Sequence, residues 1–137
     1  MDEREARERF ASAPVARLAT ITPEGAPHLV PVTFAVTDED TIWFLVDEKP
    51  KRSRALQRLA NIAADGRVSL LVDHYDDAWS ALWWVRADGR ARVITDPESW
   101  RDAVTSLVRK YPQYVSQPPS GPAVEIRVQR WRWWAAS

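Results

Sequence analysis

Apolar and polar residues alternate with the period of a β-strand along much of the chain. This alternation, or a short apolar run, predicts strands in seven segments, which are residues 15–21, 28–36, 41–46, 67–73, 79–87, 90–94 and 123–128. Pro31 cannot donate to a ladder, so its strand should lie at an edge or carry a bulge. Thr22-Pro23-Glu24-Gly25 fits a type I turn, and Asp88-Gly89 is typical of a hairpin. Hairpin connections favour a small antiparallel barrel.

Three other segments have helical features. Residues 2–12 predict a short charged helix, and Asp96-Pro97 predicts the start of a helix that ends before Pro112. A helix over residues 53–64 follows from apolar residues at helical spacing, which are Leu56, Leu59, Ala60 and Ala63.

We therefore expect one mainly β (α+β) domain over residues 1–137. Its N-terminal helix should fall in residues 1–12. A proline-rich connector at 117–122 should lead to the last strand.

A basic loop links the third predicted strand to the helix over 53–64. Lys49, Lys51 and Arg52 precede that helix, and Ser53 is a candidate N-cap. The N-terminal end of a helix carries partial positive charge, so cations are unfavourable there unless an anion joins them. The loop is either a phosphate or carboxylate site or a solvated basic surface, and both interpretations stay open on these residues alone.

Composition excludes several classes of chemistry. The 19 basic and 19 acidic residues give no net charge, which argues against a nucleic-acid partner. Without cysteine, the chain has no disulfide, thiolate metal site or thiol nucleophile. Four glycines cannot supply a dinucleotide or phosphate-binding loop of the usual type. The two histidines, His28 and His74, lack the spacing of metal ligands, so we predict no metal site.

The ends of the chain and its hydropathy bear on location. The N-terminal segment is charged throughout, and no apolar run reaches the roughly 18 residues that a spanning helix needs. We therefore expect a cytoplasmic protein without a membrane partner. If it is an enzyme, a bound cofactor should supply the difficult chemistry.

The eight tryptophans fall largely in two clusters. Trp83 and Trp84 should face opposite sides of a strand, and we expect Trp84 to face a ligand cleft. Trp131, Trp133 and Trp134 alternate with arginines near the C-terminal end. Such a pattern can stack on nucleic-acid bases, but zero net charge favours dimer packing or a lid over a ligand.

Four short segments, taken together in their order and spacing, resemble one family. They are Ala16–Thr20, Pro27–Phe34, Lys49–Arg52 and Trp84–Ala91. Together they resemble the split β-barrel proteins that bind flavins or deazaflavins, including the pyridoxamine 5′-phosphate oxidase-like proteins. The resemblance covers roughly residues 13–134 and is greatest to the actinobacterial branch that uses the deazaflavin coenzyme F420.

The resemblance implies an antiparallel split β-barrel of the FMN-binding type with short flanking helices, assembled as a homodimer with the cofactor at the subunit interface. It implies that the cofactor ring lies on the strand formed by Val30, Pro31, Val32, Thr33 and Phe34. By the same resemblance, the phosphate would bind the basic loop through Lys49, Lys51, Arg52 and Ser53, and Trp84 would line the cleft. Candidate substrate contacts are His28, Tyr75 and Trp79.

The implied activity is that of an F420-dependent oxidoreductase. Hydride would pass from the reduced deazaflavin to a small, planar, unsaturated organic substrate. Three alternatives remain: an FMN-binding oxidoreductase of the same fold, a non-enzymatic flavin- or tetrapyrrole-binding module, and a small nucleic-acid-binding barrel.

Overall fold

A computed structural model describes residues 1–38, 40–46 and 52–137, and only the backbone of residues 52–56. The helices are α1 (Glu3–Ser12), α2 (Arg52–Ala64) and α3 (Arg101–Lys110). The strands are β1 (Ala16–Ile21), β2 (Pro27–Val32), β3 (Ala35–Asp38), β4 (Thr41–Leu45), β5 (Arg67–His74), β6 (Trp83–Ile94) and β7 (Ala123–Ala135). All seven strands join one antiparallel sheet in the order β2-β1-β5-β6-β7-β4-β3. The predicted α+β split barrel is confirmed, and this sheet is not closed on itself.

The second predicted strand is two strands in the structure. It breaks after Val32, and the chain leaves β2 at one edge of the sheet for β3 at the other. Pro31 therefore lies in an edge strand, as its missing N–H predicts. Residues 33 and 34 connect the two edges.

The predicted hairpin at Asp88-Gly89 is wrong. The fifth and sixth predicted strands are one continuous strand, β6, which begins at Trp83 because Trp79–Ala81 forms a 3₁₀ turn. Gly89 lacks the positive φ that a two-residue hairpin of type I′ requires. A Cβ at Gly89 would clash with the carbonyl oxygen of Arg127, so glycine is needed here for close approach of two strands.

A β-bulge opposite this glycine changes the direction of the side chains in β7. Asp88 pairs with Arg130 and Gly89 with Val128, which leaves Gln129 as the extra residue. Val128 is buried before the bulge and Trp131 after it. The bulge therefore turns the odd-numbered tryptophans inward, and β7 continues to Ala135 instead of ending at 128 as predicted.

The first core lies between the sheet and the helices α1 and α2. Phe10 of α1 is fully buried, and its ring centroid lies 5.0 Å from that of Phe34 and 5.2 Å from that of Trp131. The indole of Trp131 donates to Asp40 at 2.9 Å. The indole of Trp133 donates to the carbonyl of Met1 at 3.1 Å. The inward tryptophans of β7 thus hold the N-terminal helix on the sheet.

The second core lies on the opposite face of the sheet. Ala103 and Leu107 of α3 pack there against Trp43, Leu45 and Ala123. This helix covers the face of β3, β4 and the start of β7. Among the described helices, none packs on the same face of β2, β1 and β5.

Replacing Trp131 tests whether the inward tryptophans anchor α1. Trp131 is 5% exposed, so Trp131→Ala should lower the free energy of unfolding by about 3–5 kcal/mol. The matched control is Trp134→Ala on the same strand, where the side chain is 46% exposed and a change of roughly 1 kcal/mol or less is expected. Urea denaturation measures both. Equal losses in the two variants would contradict this role for Trp131.

Candidate cofactor site

The uncovered side of β2, β1, β5 and β6 forms a continuous surface, which we call the outer face. Cross-strand register places five of its residues in one row, namely Pro31, Arg17, Leu71, Arg86 and Arg132. Leu29 and Leu71 on this face are 66% and 37% exposed. The outer face therefore combines exposed apolar side chains with arginines, and arginine is enriched at protein interfaces.

Asp88 organises the arginines of the outer face. It accepts hydrogen bonds from Ser69 at 2.7 Å, from Arg86 at 2.9 Å and from Arg130 at 3.2 Å. Burial alone would raise the pKa of Asp88, but the hydrogen bonds from Arg86, Ser69 and Arg130 outweigh it and leave the pKa lowered. The carboxylate is therefore ionised and fixes the two guanidinium groups in place.

The predicted cofactor strand alternates between the core and the outer face. Val32 and Phe34 are buried in the first core, and Val30 packs against it. Pro31 is exposed on the outer face. Thr33 shares a hydrogen bond of 3.0 Å with the hydroxyl of Tyr114. Among these five residues, Pro31 therefore presents its side chain to the outer face, and the others hold the strand.

The backbone of Phe34 is bonded to the C-terminal end of α3. Its N–H donates to the hydroxyl of Tyr111 at 3.1 Å, and its carbonyl accepts from Nζ of Lys110 at 3.1 Å. The Lys110 ammonium also lies 3.7 Å from the centroid of the Phe34 ring. Burial lowers the pKa of Lys110 to about 8. This contact could not be predicted from the sequence, because Tyr111 fits the apolar face of a helix equally well.

Trp84 lies on the outer face, as expected from its position beside Trp83. It pairs with Asp73 on β5 and with Trp134 on β7. Trp83 points to the other side, where it packs against the first core, stacks with His74 at 6.0 Å and lies below the guanidinium of Arg9. Trp84 is thus available to a ligand on the outer face.

The basic loop begins at the opposite end of β6 from Trp84. The end of β4 at Leu45 pairs with Ala123, which pairs with Ile94. The ten residue steps from Trp84 to Ile94 span at most about 33 Å at the rise of an extended strand. A single chain therefore holds Trp84 and the start of the basic loop far apart.

The side chains of the four predicted phosphate ligands lie outside the described part of the structure. Lys49 and Lys51 lie outside the described residues. Arg52 and Ser53 form the first turn of α2, which begins one residue before the predicted start, and their side chains are outside the described part. Their role in phosphate binding stays a prediction.

The three candidate substrate residues are not brought together. His28 pairs with Thr20 at one end of the sheet, and its Nδ1 is buried without a hydrogen-bond partner. Tyr75 and Trp79 are exposed beyond the other end of β5. Ser69, which pairs beside Thr20, precedes Tyr75 by six residues, or about 20 Å of strand. Only Tyr75 and Trp79 lie at the Trp84 end.

A buried polar contact near His28 was not foreseen. Asn61 of α2 is fully buried and donates to Thr20 at 3.1 Å, while it accepts from Gln57 at 2.7 Å. This network fixes α2 on β1, with His28 beside it. Asn61 lies on the apolar side of the predicted helix. Its position there could have indicated this contact, since a buried amide requires hydrogen-bond partners.

Two observations on the described residues concern metal sites and membrane-spanning helices. Across residues 1–38, 40–46 and 52–137, no group of three or more His, Cys, Asp or Glu side chains is arranged to hold a metal ion. No helix in the same ranges has the length and apolar character needed to cross a membrane.

Comparison with known proteins decides the family. A model of the pyridoxamine 5′-phosphate oxidase family matches residues 2–135. The chain belongs to this family. No curated protein is similar enough in sequence to count as a match. The predicted family is thereby confirmed, whereas the F420 branch stays a prediction.

Several solved structures of other proteins share the fold of this chain. A conserved hypothetical protein from Mycobacterium tuberculosis has 28% identity and a TM-score of 0.78, with 99% of this chain and 86% of that chain covered. A heme-binding protein from Mycobacterium smegmatis has 25% identity and a TM-score of 0.73, with 96% and 53% covered. A FAD-binding protein from Mesorhizobium loti, at 21% identity and a TM-score of 0.70 over 97% and 94%, supports the fold alone.

The outer face of this family member fits a planar cofactor that carries a phosphate. A flat ring needs an apolar wall, which Pro31, Leu71 and Trp84 offer. A phosphate needs guanidinium or ammonium donors, and the face supplies Arg17 between Pro31 and Leu71 and Arg132 beside Arg86. The residues present are therefore compatible with a flavin or deazaflavin.

The depressed pKa of Lys110 predicts a pH-dependent stability. Between about pH 8 and 10 the folded chain releases the Lys110 proton while the unfolded chain keeps it, because its ordinary pKa is 10.5. The unfolded state then binds more protons, so the free energy of unfolding should rise with pH in this window. Burial raises the pKa of Tyr111 above its ordinary 10.0, so that group opposes the trend only at higher pH.

Urea denaturation at several pH values between 7 and 10 tests this prediction, with Lys110→Met as the control. The rise should be present in the unmodified protein and absent in the variant. The same slope in both proteins would show that Lys110 is not the group responsible.

Proposed function

We propose that the protein is a homodimeric F420-dependent oxidoreductase that transfers hydride from the reduced deazaflavin to a small, planar, unsaturated organic substrate. The observation that supports this most is the outer face, which exposes apolar side chains and arginines together. Membership of the pyridoxamine 5′-phosphate oxidase family supports a ring-shaped, phosphate-bearing ligand.

A second copy of the chain would complete the site. The end of β4, where the chain enters the basic loop, lies up to about 33 Å along β6 from Trp84, so a second subunit would bring the two elements together. A two-fold axis through the outer face would set the basic loop of one subunit beside the Trp84 of the other. It would also cover Leu29 and Leu71, which are exposed in a single chain.

Within that arrangement the chain's residues bind and orient, and the cofactor supplies the hydride. Pro31 and Trp84 would contact the ring, while Val30, Val32, Thr33 and Phe34 hold the strand behind it. Lys49, Lys51, Arg52 and Ser53 would bind the phosphate. Tyr75 and Trp79 would border the substrate at the Trp84 end. The apolar wall would exclude water, which favours hydride transfer over side reactions.

A tetrapyrrole-binding module without turnover is the second candidate, and FMN is the alternative cofactor for the enzyme. The observation that favours the tetrapyrrole is the heme-binding protein with 25% identity. The flat apolar wall that suits a deazaflavin would also suit a tetrapyrrole, and the arginines would suit its carboxylates.

Titration of the purified protein with F420, FMN and hemin, each followed by tryptophan fluorescence, separates these candidates. We expect saturable quenching by F420 at a dissociation constant at least about tenfold lower than for FMN or hemin. Trp84→Phe should reduce the F420 quenching, because Trp84 is proposed to contact the ring. Tighter binding of FMN would move the protein to the flavin enzymes, and tight binding of hemin alone would favour the second candidate. Binding of none of the three would contradict the proposed function.

A further inference from the structure

We propose that Lys110 and Tyr111 are positioning residues, which clamp the backbone of Phe34 and thereby set the end of β2 against the cofactor. This inference rests on the proposed function, since it assumes that the strand behind Pro31 supports the ring. It assigns a role in ligand binding to the C-terminal end of α3, which does not belong to the outer face.

The need for a clamp comes from the break between β2 and β3. The last pair of β2 is Val32 with Ala16, and the first pair of β3 is Ala35 with Trp43. Phe34 lies between them without a ladder partner, although its side chain is fully buried. Backbone N–H and C=O groups away from water need partners, so something other than a strand must supply them.

Two side chains of α3 and its C-cap supply those partners. The Phe34 N–H donates to the Tyr111 hydroxyl at 3.1 Å. That hydroxyl has one proton and lies 2.9 Å from the carbonyl of Pro14 and 3.2 Å from the carbonyl of Phe34. Lys110 donates to the same Phe34 carbonyl at 3.1 Å, so this group stays bonded when Tyr111 donates to Pro14.

The contact with Lys110 holds the side chain of Phe34 as well as its backbone. The Lys110 ammonium lies 3.7 Å from the centroid of the Phe34 ring, on which it makes a cation–π contact. Phe10 packs on the same ring at 5.0 Å. The hydroxyl of Tyr114 bonds to Thr33 at 3.0 Å. The two residues after β2 are therefore held in one position from several directions.

The consequence for the ligand follows from the short distance along the chain. Pro31 is three residues before Phe34, and Val32 is the last paired residue of β2, so the clamp holds the chain directly after the end of the strand that carries Pro31. Binding sites of this kind lose much of their affinity when a contact moves by about 1 Å. The clamp therefore matters for the ligand and not only for attaching α3.

A purely structural role would give a different result from a positioning role. If Tyr111 only attached α3 to the sheet, its loss would lower stability and leave the affinity of the folded protein unchanged. The control for this possibility is Leu107→Ala, which weakens the packing of α3 in the second core and leaves both clamping residues in place.

The experiment compares the full chain with Tyr111→Phe, Lys110→Met and Leu107→Ala at a temperature where all four are folded. Tyr111→Phe keeps the ring and removes only the hydroxyl, so the dissociation constant for F420 should rise about tenfold, and Lys110→Met should act in the same direction. Leu107→Ala should lower the unfolding midpoint without this rise. Hydrogen exchange of the Phe34 amide should be slow in the unmodified chain and fast in Tyr111→Phe, with or without ligand.

The measurements distinguish failure of the positioning role from failure of the clamp and of the proposed function. Unchanged F420 affinity in Tyr111→Phe, or an equal rise in Leu107→Ala, would overturn the positioning role while the proposed function stands. A Phe34 amide that exchanges fast in the unmodified chain would overturn the clamp itself. If the unmodified chain binds none of F420, FMN and hemin, the proposed function fails, and the role of the clamp in ligand binding fails with it.

Discussion

The long pairing of β6 with β7 is the interaction on which the rest of the structure depends. It joins the two strands from Trp83 to Ile94 and determines what each side of the sheet presents. On the inner side it places Trp131 and Trp133 under the N-terminal helix. On the outer side it aligns Trp84 with Trp134 in one row and Arg86 with Arg132 in another. The extra residue Gln129 makes this possible, because without the bulge Trp131 and Trp133 would point outward and Trp134 would point inward.

In a single chain, the outer face leaves apolar side chains exposed to water. Leucine, proline and tryptophan side chains are exposed there beside arginines, and α3 covers only the other part of the same face. Burial of such apolar area in an interface removes it from water and favours association. A second copy and a flat ligand are both consistent with this chemistry. The proposed dimer would use the same surface for assembly and for cofactor binding.

Much of the fold could be predicted from the sequence, because its period-two pattern and N-cap signals act locally. The predicted N-cap Asp96 accepts from the N–H of Glu98, but it caps a 3₁₀ turn over Pro97–Trp100, and α3 begins only at Arg101. At the start of α1, Asp2 accepts from the N–H of Glu5. The prediction of a hairpin at Asp88-Gly89 was wrong, since a glycine required for close approach of two strands cannot be distinguished in sequence from a glycine in a turn. The clamp on Phe34 could not be predicted either, because it joins residues 77 positions apart through backbone atoms. The division of one predicted strand into β2 and β3 could not be predicted for a similar reason. Tertiary packing determines which edge of the sheet each half joins.

The central claim is that one cofactor site uses residues from two chains, and mixing of variant subunits tests it most directly. Trp84→Ala and the double variant Lys51→Ala, Arg52→Ala would each weaken every site of their own homodimer. After unfolding and refolding an equal mixture, half of the dimers combine one chain of each kind, and one of their two sites is then intact. The account predicts that about a quarter of all sites regain the F420 affinity of the unmodified protein. No recovery in the mixture, with each variant dimeric alone, would show that the site lies within one chain and would contradict the account.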